Sequence, residues 1–208
     1  MKNNMKNPSY WFGIDLYDFD ARGRPCIATH KASVHQMPFE NEVFDFVIAN
    51  QSIEHWSEYG VSVEAGLLEV SRVLTHGGKI NINFPFFLHG DPLFMCGKID
   101  EIIALFDPDV WNISSIIAYL DSSEPNYKGW RRCGFPDFYV KRWTKCETAF
   151  VVEIIASKKN IEIEKIIQRQ LSMPVTRVKK ITAFKRAARH GLFVLLWRII
   201  SKVKRLKY

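Results

Sequence analysis

Cysteine is the first scarcity. The four in this 208-residue chain (Cys26, Cys96, Cys133 and Cys146) are scattered, with no C-x-x-C pair among them. That excludes a zinc site built on close ligand spacing, and no metal site is expected. Disulfide frameworks serve small secreted domains that lack a core, so the four are read as reduced thiols of a cytoplasmic protein. Long apolar runs are also absent. The longest, Leu192 to Trp197, falls far short of the roughly 20 residues that span a bilayer. The opening MKNNMKNPSYW has no apolar core of a secretory signal. No internal repeat or low-complexity segment is visible.

What is present fits one globular domain with an appendage. Hydrophobic residues make up 47% and charged residues 25%, an ordinary balance for a folded domain. The net charge of +7 is unevenly placed. From Asn160 onward there are 13 Lys and Arg against 2 acids, whereas the preceding residues hold 16 against 20. The division implied is a faintly acidic domain, 8–159, and a basic tail, 160–208. Such asymmetry suits a polyanionic partner for the tail.

The domain reads as alternating strands and helices. Tyr10 to Leu16 (YWFGIDL) is an apolar run, as in a buried parallel strand. Cys26 to His30 and Phe44 to Asn50 are the next strand candidates. Glu64 to Leu74 carries apolar residues at helical spacing, and Gly77-Gly78 is expected to close that helix with left-handed geometry. Lys79 to Phe84 is a strand stopped by Pro85. Ile99 to Phe106 reads as a helix, Trp111 to Leu120 as β-rich, and Thr148 to Ser157 as the last strand. The pattern predicts an α/β sheet with right-handed crossovers.

Two stretches carry a resemblance. HQMPFENEVFDFVIANQSIEHW (His35 to Trp56), followed by EVSRVLTHGGKININFPF (Glu69 to Phe86), is similar to the type 11 group of class I S-adenosylmethionine-dependent methyltransferases. The matching elements are Met37-Pro38-Phe39, Phe44-Asp45, Glu54-His55, Arg72-Val73-Leu74 and Gly77-Gly78, in order. FPFFLHGDP (Phe84 to Pro92) further resembles members encoded beside surface-polysaccharide glycosyltransferases.

The resemblance implies a Rossmann-like fold, S-adenosylmethionine as cofactor, and roles residue by residue. Asp15 would hold the ribose hydroxyls, the place of an acid at the end of the second strand of such a sheet; alone, it reads first as a turn aspartate. Ser33 stands where the family carries an acid facing the adenine amino group, and Val34 and His35 would lie beside the ring. Asn50 would line the methionine end. Glu54 and His55 would sit near the transferred methyl, with His55 as general base for a hydroxyl acceptor; without the resemblance, His55 is a histidine packing a turn. The implied acceptor is a sugar hydroxyl on a lipid-linked or nucleotide-linked glycan.

One departure stands against activity. The family's first strand and its glycine-rich turn belong upstream of Asp15, and MKNNMKNPS holds neither glycine nor an apolar strand. Either the sheet is completed from upstream, or the chain is a truncated, non-catalytic methyltransferase-like module at a membrane. This form is therefore expected to bind S-adenosylmethionine weakly.

In the tail, Phe184, Ala188, Leu192, Leu195, Ile199, Val203 and Leu206 follow at steps of three or four. With Arg198, Lys202 and Arg205 on another face, this predicts a basic amphipathic helix from Arg177 to Lys207 at an anionic membrane, peripheral on the cytoplasmic side. A helix packed on the domain fits the same spacing. A nucleic-acid partner is not expected, since no recognition motif accompanies the charge.

Overall fold

A computed structural model of the chain describes residues 11–18, 23–26, 28–86, 90–95, 99–122, 129–133 and 150–173. Its main sheet grows from two neighbouring parallel strands, β3 (Phe44–Asn50) and β4 (Leu74–Phe86). On β4 every second side chain, Ile80, Ile82, Phe84 and Phe86, is fully buried, while Asn81 and Asn83 on the other face are half-buried. This is the two-residue period of a pleated strand with one face on the core. The linking helix α1 (Val63–Val73) starts at Ser62, whose hydroxyl accepts the Ala65 N–H at 3.1 Å. It buries Val63, Leu67, Leu68, Val70 and Val73 against the sheet.

Three antiparallel strands complete that sheet: β5 (Trp111–Ser122), β6 (Gly129–Cys133) and β7 (Phe150–Lys158), in spatial order β3-β4-β7-β5-β6. Short helices α2 (Pro92–Met95) and α3 (Ile99–Ile103) cover Phe84 through Phe94. The last described helix, α4 (Ile163–Ser172), packs on α1, burying Ile166. Gln170 donates to Glu69 at 2.9 Å, and Arg169 is ion-paired with Asp107 and Asp109. Part of the segment assigned by charge to the tail thus shares the core. The amphipathic helix expected over 177–207 lies outside the described residues.

A second, separate sheet holds β1 (Ile14–Asp15) and β2 (His30–Lys31), paired in parallel. Among the described residues no ladder joins it to β3. Ring contacts do. Phe12, before β1, lies 5.9 Å from Phe44 at the start of β3, and both meet Phe39. Tyr17, after β1, lies 5.9 Å from Tyr59 beyond the end of β3. These ring contacts link the two sheets, and among the described residues no ladder hydrogen bond crosses the seam between them.

Several sequence expectations move. The strand placed at Cys26 to His30 is realised as His30–Lys31, with the preceding chain bound as a loop. Gly77-Gly78 does not cap α1. The helix already ends at Val73, and Leu74 is extended. Gly77 does take a left-handed φ of 73°, but within a bulge where the register passes from Phe44↔Leu74 to Phe46↔Lys79.

Candidate active site at the strand ends

In parallel α/β sheets ligands settle outside the C-terminal strand ends, where loops leave to opposite sides. The sequence-derived site residues gather there. Asp15 ends β1, half-buried, and its Oδ1 accepts the Tyr17 N–H at 3.0 Å. That is the turn arrangement of an aspartate; among the described residues Oδ2 has no partner. Ser33, Val34 and His35 form the turn after β2. Ser33 Oγ lies 2.7 Å from His35 Nδ1, so the serine's polar capacity is shared with the histidine. Val34 packs against the core, whereas His35 is exposed.

Asn50 ends β3, and the chain then turns sharply at Gln51, a non-glycine residue with φ 51°. It leads through Ser52 into a 3-10 helix, Ile53–Tyr59. Ile53 and Trp56 anchor that helix in the core. Glu54 is fully buried and His55 half-buried beside it. His55 stands between two carboxylates: its Nδ1 lies 3.3 Å from Glu58 Oε2, and its Nε2 lies 3.9 Å from Glu54 Oε1. Burial pushes the Glu54 carboxyl above its ordinary value, opposed by its own backbone N–H and the nearby His55.

Residues to which the sequence reading gave no role in the site complete this end. Glu58 follows His55 by three positions, the spacing that puts two side chains on one face of a helical turn. Gly90, φ 97°, lies flat against Glu54, and a Cβ there would stand 2.7 Å from the Glu54 carbonyl oxygen. Asp91 donates its N–H to that same oxygen at 2.8 Å and accepts from the Ser57 hydroxyl at 2.6 Å. Gly90 and Asp91 are thereby fastened over Glu54, and this gives the Gly-Asp-Pro turn a positional reason. Among the described residues no group of three or more His, Cys, Asp or Glu could hold a metal ion.

The loop below the site is clamped by a buried ion pair. Arg72 donates to Glu69 at 2.7 and 2.9 Å, to the carbonyls of Met37 and Phe39, and to Asn41 Oδ1. Glu69 also accepts the Met37 N–H at 2.7 Å. One guanidinium thus ties the Met37-Pro38-Phe39 turn to α1 just before β3 begins.

Comparison with known proteins places the same stretch. Residues 15–82 match the family model described as a methyltransferase domain. The uncharacterized protein YafE of Escherichia coli is 36% identical over 61 residues, which cover 29% of this chain and only 28% of that protein. A Listeria monocytogenes structure assigned as an S-adenosylmethionine-dependent methyltransferase superposes with a TM-score of 0.42 at 11% identity, covering 72% of this chain and 79% of that one. A second assigned methyltransferase, from Bacillus halodurans, gives 0.40 at 10% identity over 62% and 76%. Asp15, Ser33, Val34, His35, Asn50, Glu54 and His55 all fall inside a segment similar to a methyltransferase domain, and the cofactor this similarity implies is S-adenosylmethionine.

Proposed function

We propose that the chain catalyses methyl transfer from S-adenosylmethionine to a sugar hydroxyl of a lipid-linked or nucleotide-linked surface glycan. The observation carrying this reading is His55 held between Glu58 and Glu54 at the end of β3, inside the methyltransferase-like stretch. The donor set fits the cofactor. Asp15 has an oxygen to offer ribose hydroxyls, Ser33, Val34 and His35 flank the adenine position, and Asn50 serves the amino-acid end. When bound, S-adenosylmethionine supplies a methyl already activated as a sulfonium, which asks the protein mainly for alignment and a base. Glu58 at Nδ1 holds the histidine so that Nε2 takes the hydroxyl proton, and its charge stabilises the imidazolium that results. Glu54, walled in by Gly90, keeps water from that side of the ring.

The glycan acceptor and the anionic membrane rest on the Phe84 to Pro92 resemblance and on the basic 160–208 segment. Among the described residues no helix is long and apolar enough to cross a membrane; the attachment proposed is peripheral, through the apolar stripe and basic residues of the 160–208 segment. A non-catalytic, methyltransferase-like binding module is the competing reading, favoured by the seam between β1 and β3. Titration calorimetry with S-adenosylmethionine separates the two. Binding in the micromolar range, about 8 kcal/mol, supports the transferase. Binding weaker than millimolar supports the module.

A further inference from the structure

The main sheet has a second face, opposite the one on the core, and a carboxylate lies there with few donors. Asn83 of β4 pairs with Glu153 of β7, and Glu153 pairs with Ile117 of β5, so Tyr119, two residues on, shares their face. Asn83 Nδ2 donates to Asn50 Oδ1 at 2.6 Å, which joins this row to the strand end described above. Glu153 is only 5% exposed, while Asn83, Ile117, Tyr119, Val151 and Ile155 around it are half-buried. Among the described residues its carboxylate has one hydrogen-bond partner, the Tyr119 hydroxyl, at 3.5 Å the outer limit for such a bond. Burial, and after it the Glu153 charge, push the Tyr119 hydroxyl above its ordinary value, so it keeps its proton and donates. Arg132 of β6 stands opposite Tyr119 in register, but it is exposed and makes no ion pair with Glu153 among the described residues. On the same face Asn81 Oδ1 is buried, again without a partner among the described residues. A carboxylate held out of water by one long neutral bond is costly. A group bringing positive charge and several donors offsets that cost.

We propose that Glu153, with Tyr119 beside it, receives a protonated primary amine, and that the acceptor is an amino-bearing sugar. The inference rests on the sugar-acceptor reading above and narrows its substrate class. An ammonium carries three donors, enough for the Glu153 oxygens and for the Tyr119 oxygen, which accepts while its own proton stays directed at Glu153. A neutral hydroxyl in the same place brings one donor and no charge, and leaves the carboxylate uncompensated. The row runs to Asn50, at the strand end that leads into His55, so the anchor and the base share one end of the sheet.

Titration calorimetry of the full chain with glucosamine and glucose tests this, at a pH of about 6, below the ordinary amine range. The two sugars differ at one position, where an ammonium replaces a hydroxyl. The wild type should bind glucosamine about tenfold or more tighter than glucose, as a charge-assisted bond out of water predicts. N-acetylglucosamine, whose nitrogen carries no charge, should fall to the glucose level. Glu153→Gln keeps the shape and removes the charge, and should bring glucosamine within about twofold of glucose. Melting curves report whether that variant keeps the fold. Wild-type protein that binds the two sugars equally, or binds neither, overturns the inference, as does a preference that survives Glu153→Gln. N-acetylglucosamine bound as tightly as glucosamine overturns it without any variant. S-adenosylhomocysteine titrated into the same protein judges the transferase separately: no binding there sinks that reading and leaves an amine site without a methyl donor.

Discussion

At the scale of single residues the site depends on contacts that leave no room for change. Gly90 combines a φ of 97° with a close approach to Glu54. Gly90→Ala should cost about 1–3 kcal/mol, measured by urea denaturation, and should loosen the lid on the Glu54–His55 pair. In the proposed mechanism the role of Glu58 is electrostatic, through its 3.3 Å contact with His55. Glu58→Gln should lower the methyl-transfer rate roughly tenfold to a hundredfold with KM nearly unchanged; an unchanged rate would remove Glu58 from the mechanism. Asp15→Ala should weaken cofactor binding by about 1.5–3 kcal/mol, unless the carboxylate serves only the Tyr17 turn. The places of Asp15 at a strand end and of Glu54-His55 in the turn after a strand were legible, because each stands beside a recognisable apolar pattern. The contacts made by Glu58 and Gly90 were not. Their meaning lies in a left-handed turn and in contacts between β3, β4 and the following loop, which no local spacing encodes.

At the scale of elements, the sequence was most readable where burial is one-sided. α1, β4 and β7 follow their periodicities closely, because each presents one apolar face to the same core. Gly77-Gly78 misled because glycine marks positive φ without saying whether a helix end or a bulge needs it. The strand at His30–Lys31 was placed too early in the chain, at Cys26 to His30, because two residues hold no period. The clamp between α1 and the Met37 turn has a measurable signature. Burial pushes the Glu69 carboxyl up, but the hydrogen bonds from Arg72, Gln170 and the Met37 N–H outweigh it and hold the group below its ordinary value. A lowered folded value means that this stability is fully present above the ordinary carboxylate range and is lost as pH falls through the lowered one. Glu69→Gln should therefore flatten the acid limb of the stability curve between those two values. Arg72→Met strands a buried carboxylate and should cost about 3 kcal/mol or more at neutral pH, read from the same urea titrations.

At the scale of the whole molecule, the seam between β1 and β3 makes cooperativity a variable. Secondary structure that shares a ladder tends to open as one unit, whereas elements joined by side chains alone open at lower free energy. The β1–β2 pair, held to the rest by Phe12, Phe39, Phe44, Tyr17 and Tyr59, should therefore exchange its amide hydrogens well before β4 and β7 do. A cofactor that reaches from Asp15 on one side of the seam to Asn50 on the other would add hydrogen bonds across it. Ligand binding would then raise more than the midpoint of unfolding. It would bring the exchange of the Ala32 amide, bonded to the Asp15 carbonyl, into step with that of the main sheet, turning two opening events into one.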